Sequence, residues 1–271
     1  MTVSVISNVA YINDEWRDRD EIPGIYSRES RKANTSLREV EIFNCREEQD
    51  SHTLEGNGFT LINQQTAFSN YRDKEAVLSQ YFPEMRELIM SVTGAVDALP
   101  FPFYQVRTND PEHFFNGYSL YMHCDYSMKG CSSLARTIFK SNDRIGDYPE
   151  EEWDYAFYNL WRAVEYPAER DPLVWIDGST LSLDDIIDYR ATKEESKGVA
   201  AVPLYNRNQR HCYMPNLMTD EVVILKQLDS RQDRIQVCPH TSFVDPQAQT
   251  DARPRQSIDV RFMCVFPKAA S

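Results

Sequence analysis

From residue 101 onward the chain is a succession of short apolar runs bounded by turn residues, and that rhythm leaves few folds open. Candidate strands cover 103–106, 118–125, 157–164, 173–176, 199–204, 212–214, 221–228, 234–240 and 257–266, with only brief helical pieces predicted at 134–139 and at 183–189, where Ser182 is the cap. Many strands at turn-bounded intervals favour a sandwich or barrel over a parallel α/β sheet. No Gly-x-Gly-x-x-Gly turn or Walker loop is present, so neither a dinucleotide-binding unit nor a P-loop is supported. Residues 1–36 are polar and irregular, an arm or short strand packing onto the main body, and 37–45 and 58–62 alternate like strands. Asp73 has the look of a helix N-cap; Pro83 interrupts the pattern, and Gly94 supplies a stop, which predicts a broken helix or two in succession. Met85, Leu88, Ile89 and Val92 form its core stripe. The expected architecture is mainly β with flanking helices: one domain over 1–271, with an arm and helices in 1–100 and a jelly-roll (cupin-like) core in 101–267.

Composition sets limits. With 271 residues and 41% hydrophobic content, the chain can bury a sizeable core, and no Gly/Ser linker, repeat or low-complexity tract divides it. A formal charge of −13 argues against nucleic acid as a partner, because phosphate binding needs a concentrated basic surface. No apolar run approaches the roughly 18 to 20 residues that span a bilayer, and the N-terminus lacks a signal-peptide layout, so no membrane role and a cytoplasmic location are expected. Six cysteines are scattered without a Cys-x-x-Cys spacing, which fits reduced thiols better than a zinc ribbon or a dithiol redox site.

The chemistry is concentrated in three places: His123-Cys124-Asp125, His240, and Arg255-Gln256-Ser257. On a strand, His123 and Asp125 project from the same face, about 7 Å apart along the chain, and Cys124 points away. Two imidazoles and one carboxylate can occupy one face of an octahedral Fe(II) and leave positions for a chelating co-substrate and O2. An Arg with a Ser two residues later can fork onto a distant carboxylate, so Arg255 and Ser257 are candidates for that end of 2-oxoglutarate. Arg261 shares their face and is either a second anchor or the partner of Asp259. Each piece alone is weak: a single His on a strand is more often structural than a ligand, and short motifs recur by chance. Their joint occurrence, in this order and inside a β-rich region, points to an Fe(II)/2-oxoglutarate oxygenase. His52 and His113 lie in polar stretches and are read as surface residues, whereas His211 is a candidate substrate contact.

Ordered segments around these positions carry more than spacing. They are Met122-His123-Cys124-Asp125-Tyr126-Ser127, Asn159-Leu160-Trp161-Arg162, Asp171-Pro172-Leu173, Tyr213-Met214-Pro215-Asn216, the run from His240 to Pro246, and the run from Pro254 to Arg261. Over roughly residues 37–266 the chain resembles the hydroxylase/desaturase family that includes gibberellin desaturase-like proteins and the cephem 7α-methoxylase component. The resemblance implies a double-stranded β-helix, non-haem Fe(II) at the positions of His123, Asp125 and His240, and 2-oxoglutarate and O2 as co-substrates. It also implies a role in tailoring natural products by hydroxylation, desaturation or oxidative cyclisation, and it makes Arg162 a candidate pocket residue. A small-molecule substrate is expected, either an amino acid or a carboxylated metabolite held by Arg162 or Arg210, with Tyr126, Trp161 and Tyr213 on the pocket wall. Two other readings stay open: a non-haem iron oxidase that does not use 2-oxoglutarate, and an accessory subunit of a tailoring complex. A homo-oligomer or a partner tailoring enzyme is compatible with either.

Overall fold

A computed structural model describes residues 4–108, 118–194 and 198–268; His113 lies outside them. The strands are β1 (Ser4–Ile12), β2 (Thr35–Asn44), β3 (Phe59–Asn63), β4 (Asp97–Pro100), β5 (Gln105–Thr108), β6 (Trp153–Ala163), β7 (Leu173–Ile176), β8 (Ile186–Arg190), β9 (Val199–Pro203), β10 (His211–Tyr213), β11 (Glu221–Asp229), β12 (His240–Ser242) and β13 (Gln256–Pro267). One sheet runs β1-β2-β10-β7-β12; a larger one runs β3-β11-β6-β13-β4, with β5 also paired to β13; β8 and β9 form a separate ribbon. The strands pair antiparallel except β2 with β10, giving the jelly roll expected from the pattern of runs.

The long central strands β6 and β13 explain how one sequence serves two layers. Successive side chains alternate between faces. Tyr158, Leu160, Val260 and Phe262 turn to one side and join Val77, Tyr81, Met85 and Ile89 of the helical layer. Trp161 and Ala163 turn to the other side, against Trp175 and Cys212 of the smaller sheet. Both faces are covered, so β13 is buried from Gln256 through Phe266, with polar Ser257, Asp259 and Arg261 alternating with apolar residues in its first half and an apolar run from Phe262.

After a short helix α1 (Arg28–Asn34), the helical layer is α2 (Lys74–Ala76), a π turn over Val77–Tyr81 and α3 (Phe82–Thr93). Asp73 caps it by accepting from the backbone N–H groups of Glu75 and Ala76. Pro83 sits in the first turn of α3, and the π turn before it divides the run into two α-helical pieces in succession, as expected. Gly94 closes α3 in the left-handed region at φ 68°.

Other expectations are corrected. The first described residues form the strand alternative of the arm-or-strand reading, but as a nine-residue β1 paired along its length with β2, so the sheets recruit strands well before residue 101. The run 183–189 is not helical; after one 3-10 turn, the β-branched pair Ile186-Ile187 pairs with Pro203 and Val202. Segment 118–125 makes no continuous ladder. Met122 donates to Ala10, His123 bridges to His240 and Cys124 to Ala201, each residue engaging a different strand. Segment 234–240 likewise forms no strand before β12 begins at His240. His52 is buried beside Phe59, with ring centroids 4.6 Å apart, not at the surface.

Candidate active site

The two histidines meet through their backbones before they meet through their side chains. His123 N–H donates to the His240 carbonyl at 3.2 Å and His240 N–H returns the bond at 2.9 Å, so the pair sits directly opposite across an antiparallel bridge. Their rings lie 4.7 Å apart. Asp125 completes the group: its Oδ1 is 3.9 Å from His123 Nε2 and its Oδ2 is 3.9 Å from His240 Nε2. One donor atom from each residue lies within 4.8 Å of the others. Two imidazoles and a carboxylate are a donor set suited to non-haem Fe(II).

Groups behind the two rings hold them, and one fixes the tautomer of His123. His123 Nδ1 lies 3.0 Å from the Tyr121 carbonyl, which can only accept, so Nδ1 carries the proton and Nε2 keeps its lone pair. His240 Nδ1 lies 3.4 Å from the Cys238 carbonyl, which accepts, and 3.4 Å from Gln227 Nε2, which donates, so it has a partner in either tautomer. Burial pulls both imidazoles down, His240 to about 3, so both are neutral near pH 7. Burial works to raise the Asp125 carboxyl, but Arg261 and the two imidazoles outweigh it and hold it well below the usual carboxylate range.

The same-face residues of β6 and β13 line the cavity beside this group. Its wall includes Asn159, Trp161, Leu225, Arg255, Asp259 and Arg261. Arg261 Nη2 donates to Asp125 Oδ1 at 2.9 Å and to Asp259 Oδ2 at 3.1 Å. Burial pushes the Asp259 carboxyl up to about 6 against the pull of Arg261. Arg255 is also buried; its Nη1 donates to the Asp171 carbonyl at 2.5 Å, and its guanidinium stacks 4.1 Å from the Tyr118 ring centroid and 5.1 Å from that of Trp161. Arg255 Nε and Ser257 Oγ are buried without a hydrogen-bond partner. Two such donors, two residues apart on one strand, leave a place for an anionic group that accepts from both.

The remaining predicted contacts divide. Tyr126 lies close by, stacked on Phe101 with centroids 5.4 Å apart. Arg162 does not join the cavity: it follows Trp161 and so faces the helical layer, hydrogen-bonded to Gln64 and 5.7 Å from the Tyr81 ring centroid. Arg210 pairs with Glu48 at 2.9 Å. His211 meets Tyr11 Oη at 2.5 Å, and Tyr213 packs on Phe243 at 5.3 Å, both on the face of the smaller sheet turned away from the larger one. The parity of β10 explains this, since Cys212 between them takes the inner face. Sequence reasoning passed over Gln227, whose Oε1 accepts from the Asp125 N–H at 3.3 Å and whose Nε2 donates to the Cys238 carbonyl at 3.1 Å. A single amide in the apolar run of β11 was the available signal. Arg107, opposite Ser257 across the β5–β13 pair and on the cavity wall, was also passed over.

Comparison with known proteins bears on the whole chain. The Fe(II)/2-oxoglutarate-dependent dioxygenase nvfI of Aspergillus novofumigatus is 27% identical over 84% of this chain and 83% of its own length. The hydroxylase/desaturase asaB of Aspergillus flavus is 25% identical over 68% of this chain and 89% of its own. A family model described as "Oxidoreductase/YMDC permease-like domain" matches residues 10–265. The chain belongs to this oxidoreductase family, that of the Fe(II)/2-oxoglutarate-dependent hydroxylase/desaturases. The family's fold is represented by a solved structure of the iron and alpha-ketoglutarate-dependent endoperoxidase NvfI, which superposes with a TM-score of 0.84 at 22% identity, covering 98% of both chains. Among the described residues no helix is long and apolar enough to cross a membrane.

Proposed function

We propose that this family member is a secondary-metabolism oxygenase in which His123, Asp125 and His240 hold Fe(II) and Arg255 with Ser257 holds the distal carboxylate of 2-oxoglutarate. Its reaction is hydroxylation, desaturation or oxidative cyclisation of a small molecule, carried out by one domain. The observation that carries the assignment is the convergence of the three donor atoms within 4.8 Å beside a wall that presents two unpartnered donors, Arg255 Nε and Ser257 Oγ. When bound, the metal and 2-oxoglutarate supply the activation of O2 that oxidises an unactivated C–H bond, with succinate and CO2 leaving.

The protein's part is placement. The Tyr121 carbonyl behind His123 keeps its Nε2 unprotonated, and the Cys238 carbonyl with the Gln227 amide holds the His240 ring from behind. Trp161, Leu173 and Leu225 make the cavity wall apolar where water would compete. A carboxylated metabolite suits this cavity better than an amino acid, because Arg107 adds a cation to the wall beyond Arg255, assigned to the co-substrate, and Arg261, matched by Asp125 and Asp259. The six unpaired thiols fit a reducing compartment such as the cytoplasm.

Anaerobic titration with Fe(II) and 2-oxoglutarate tests the reading: a visible charge-transfer band is expected to grow, and admitting air is expected to yield succinate. His123→Ala is expected to lose both signals. If that variant matches wild type, the assignment is wrong.

A further inference from the structure

Arg261, which the sequence offers as a second co-substrate anchor or as the partner of Asp259 or another acidic neighbour, engages two carboxylates at once. Its guanidinium lies between two buried carboxylates, with Nη2 2.9 Å from Asp125 Oδ1, and Nη2 and Nε 3.1 Å and 3.2 Å from Asp259 Oδ2. The other oxygen of Asp125 is held as well, since Asn159 Nδ2 donates to Oδ2 at 2.5 Å. Arg261 and Asn159 are direct cross-strand partners in the β6–β13 register, and Asp259 lies one same-face step along β13. All four residues are at least nine-tenths buried by side chain or as whole residues.

We propose that Arg261, anchored by Asp259 and assisted by Asn159, is a positioning residue that fixes the Asp125 carboxylate in the orientation that meets both imidazoles. The proposal rests on the metal-site reading above. A carboxylate offers about four lone-pair directions. Arg261 takes one on Oδ1 and Asn159 takes one on Oδ2, so rotation about χ2 of Asp125 is stopped from both sides. What remains faces the histidines, with Oδ1 and Oδ2 each 3.9 Å from one Nε2. Lysine would not reproduce this function, because its freely rotating ammonium lacks the fixed donor directions of a guanidinium and the second contact that Nε makes to Asp259.

Two effects of Arg261 oppose each other, and that makes the idea testable. As a nearby cation it repels a divalent metal; as a clamp it preorganises the ligand. Cobalt(II) titration of the purified apo-protein, followed by its visible d–d absorption, reads both affinity and coordination geometry without turnover. Arg261→Lys keeps the charge and loses the fork, and is expected to bind Co(II) about 10- to 100-fold more weakly, with an altered spectrum. Asp259→Asn, nearly isosteric, is expected to weaken binding in the same direction by releasing the anchor. Asn159→Leu is expected to change the spectrum more than the affinity. Circular dichroism and thermal melting confirm folding, and Asp259→Asn carries the test if Arg261 variants do not fold.

Wild-type affinity and spectrum in Arg261→Lys and Asp259→Asn, while His123→Ala abolishes binding, would overturn this inference and leave the metal site standing. Tighter binding by Arg261→Gln with wild-type behaviour of Arg261→Lys would show charge alone at work, and would also overturn it. Undiminished Co(II) binding by His123→Ala would instead remove the metal-site reading beneath it.

Discussion

At the scale of single residues, the site is governed by what each buried polar atom has for a partner. Among the described residues Arg255 Nε and Ser257 Oγ have none, so their hydrogen-bonding energy is left for a ligand. Arg255→Ala is expected to raise the KM for 2-oxoglutarate about 10- to 100-fold, the cost of losing charge-assisted hydrogen bonds, and Ser257→Ala only several-fold. Steady-state kinetics at saturating Fe(II) decides; equal effects would mean that the two do not share a carboxylate as proposed. His211 offers a separate test away from the metal. Burial pulls its imidazole from the ordinary 6.5 down to about 4. The unfolded chain therefore takes up a proton as pH falls through about 6.5, while the folded protein does not until about 4. The stability that a neutral His211 contributes is complete above the upper value and lost on the way to the lower one, about 3 kcal/mol across the window. Urea unfolding at several pH values is expected to show this decline in wild type and a flatter profile in His211→Gln. Parallel profiles would contradict it.

At the scale of elements, β13 and β6 do most of the work because each carries two functions on alternate residues. On β13, Asp259 and Arg261 line the cavity, with Ser257 on the same face by alternation, while Ile258, Val260 and Phe262 hold the helical layer. Phe262 is fully buried, 5.8 Å from the Phe82 ring of α3. Phe262→Ala is expected to cost about 3–5 kcal/mol, from lost burial plus the cavity left behind. Asp73→Ala, which removes only an exposed cap, is expected to cost about 1 kcal/mol. Denaturant titration of both variants measures the contrast, and a cap effect equal to the core effect would mean that the helical layer is held by its end and not by its face. Strand parity also accounts for what the sequence disclosed. Asn159 and Trp161 share a face by simple alternation, and the same rule excludes Arg162 from the cavity. Applied to β10, alternation likewise separates Cys212 from His211 and Tyr213. Which of the two faces was the inner one could not be known before the sheets were assembled.

At the scale of the molecule, the metal group joins segments that are otherwise distant. His123 and Asp125 come from a stretch without a ladder of its own, and His240 opens β12 at the end of the smaller sheet. Asp125 is tied across to β6 and β13 of the larger sheet through Asn159 and Arg261. A bound divalent metal would therefore stitch the two sheets together. Co(II) with 2-oxoglutarate is expected to raise the melting temperature, with about 2.7 kcal/mol of stabilisation at a hundredfold excess over Kd. Thermal denaturation with and without both ligands measures it, and an unchanged midpoint at saturation would contradict binding to the native state.

The sequence by itself determined the jelly-roll class and the identity of the candidate metal and co-substrate residues, because strand-length runs and side-chain alternation are local properties. It also determined that Cys124 lies apart from its neighbours' chemistry, again by alternation. Tertiary structure alone decided that segment 118–125 threads between strands, that Arg162, Arg210, His211 and Tyr213 face elsewhere, and that Arg261 bridges Asp125 and Asp259. It brought Gln227 and Arg107 to the site with no motif to announce them. The physical reason is the same in each case: which face of a strand becomes the interior, and which charge finds which partner, depends on sheets that close only through contacts far apart in the chain.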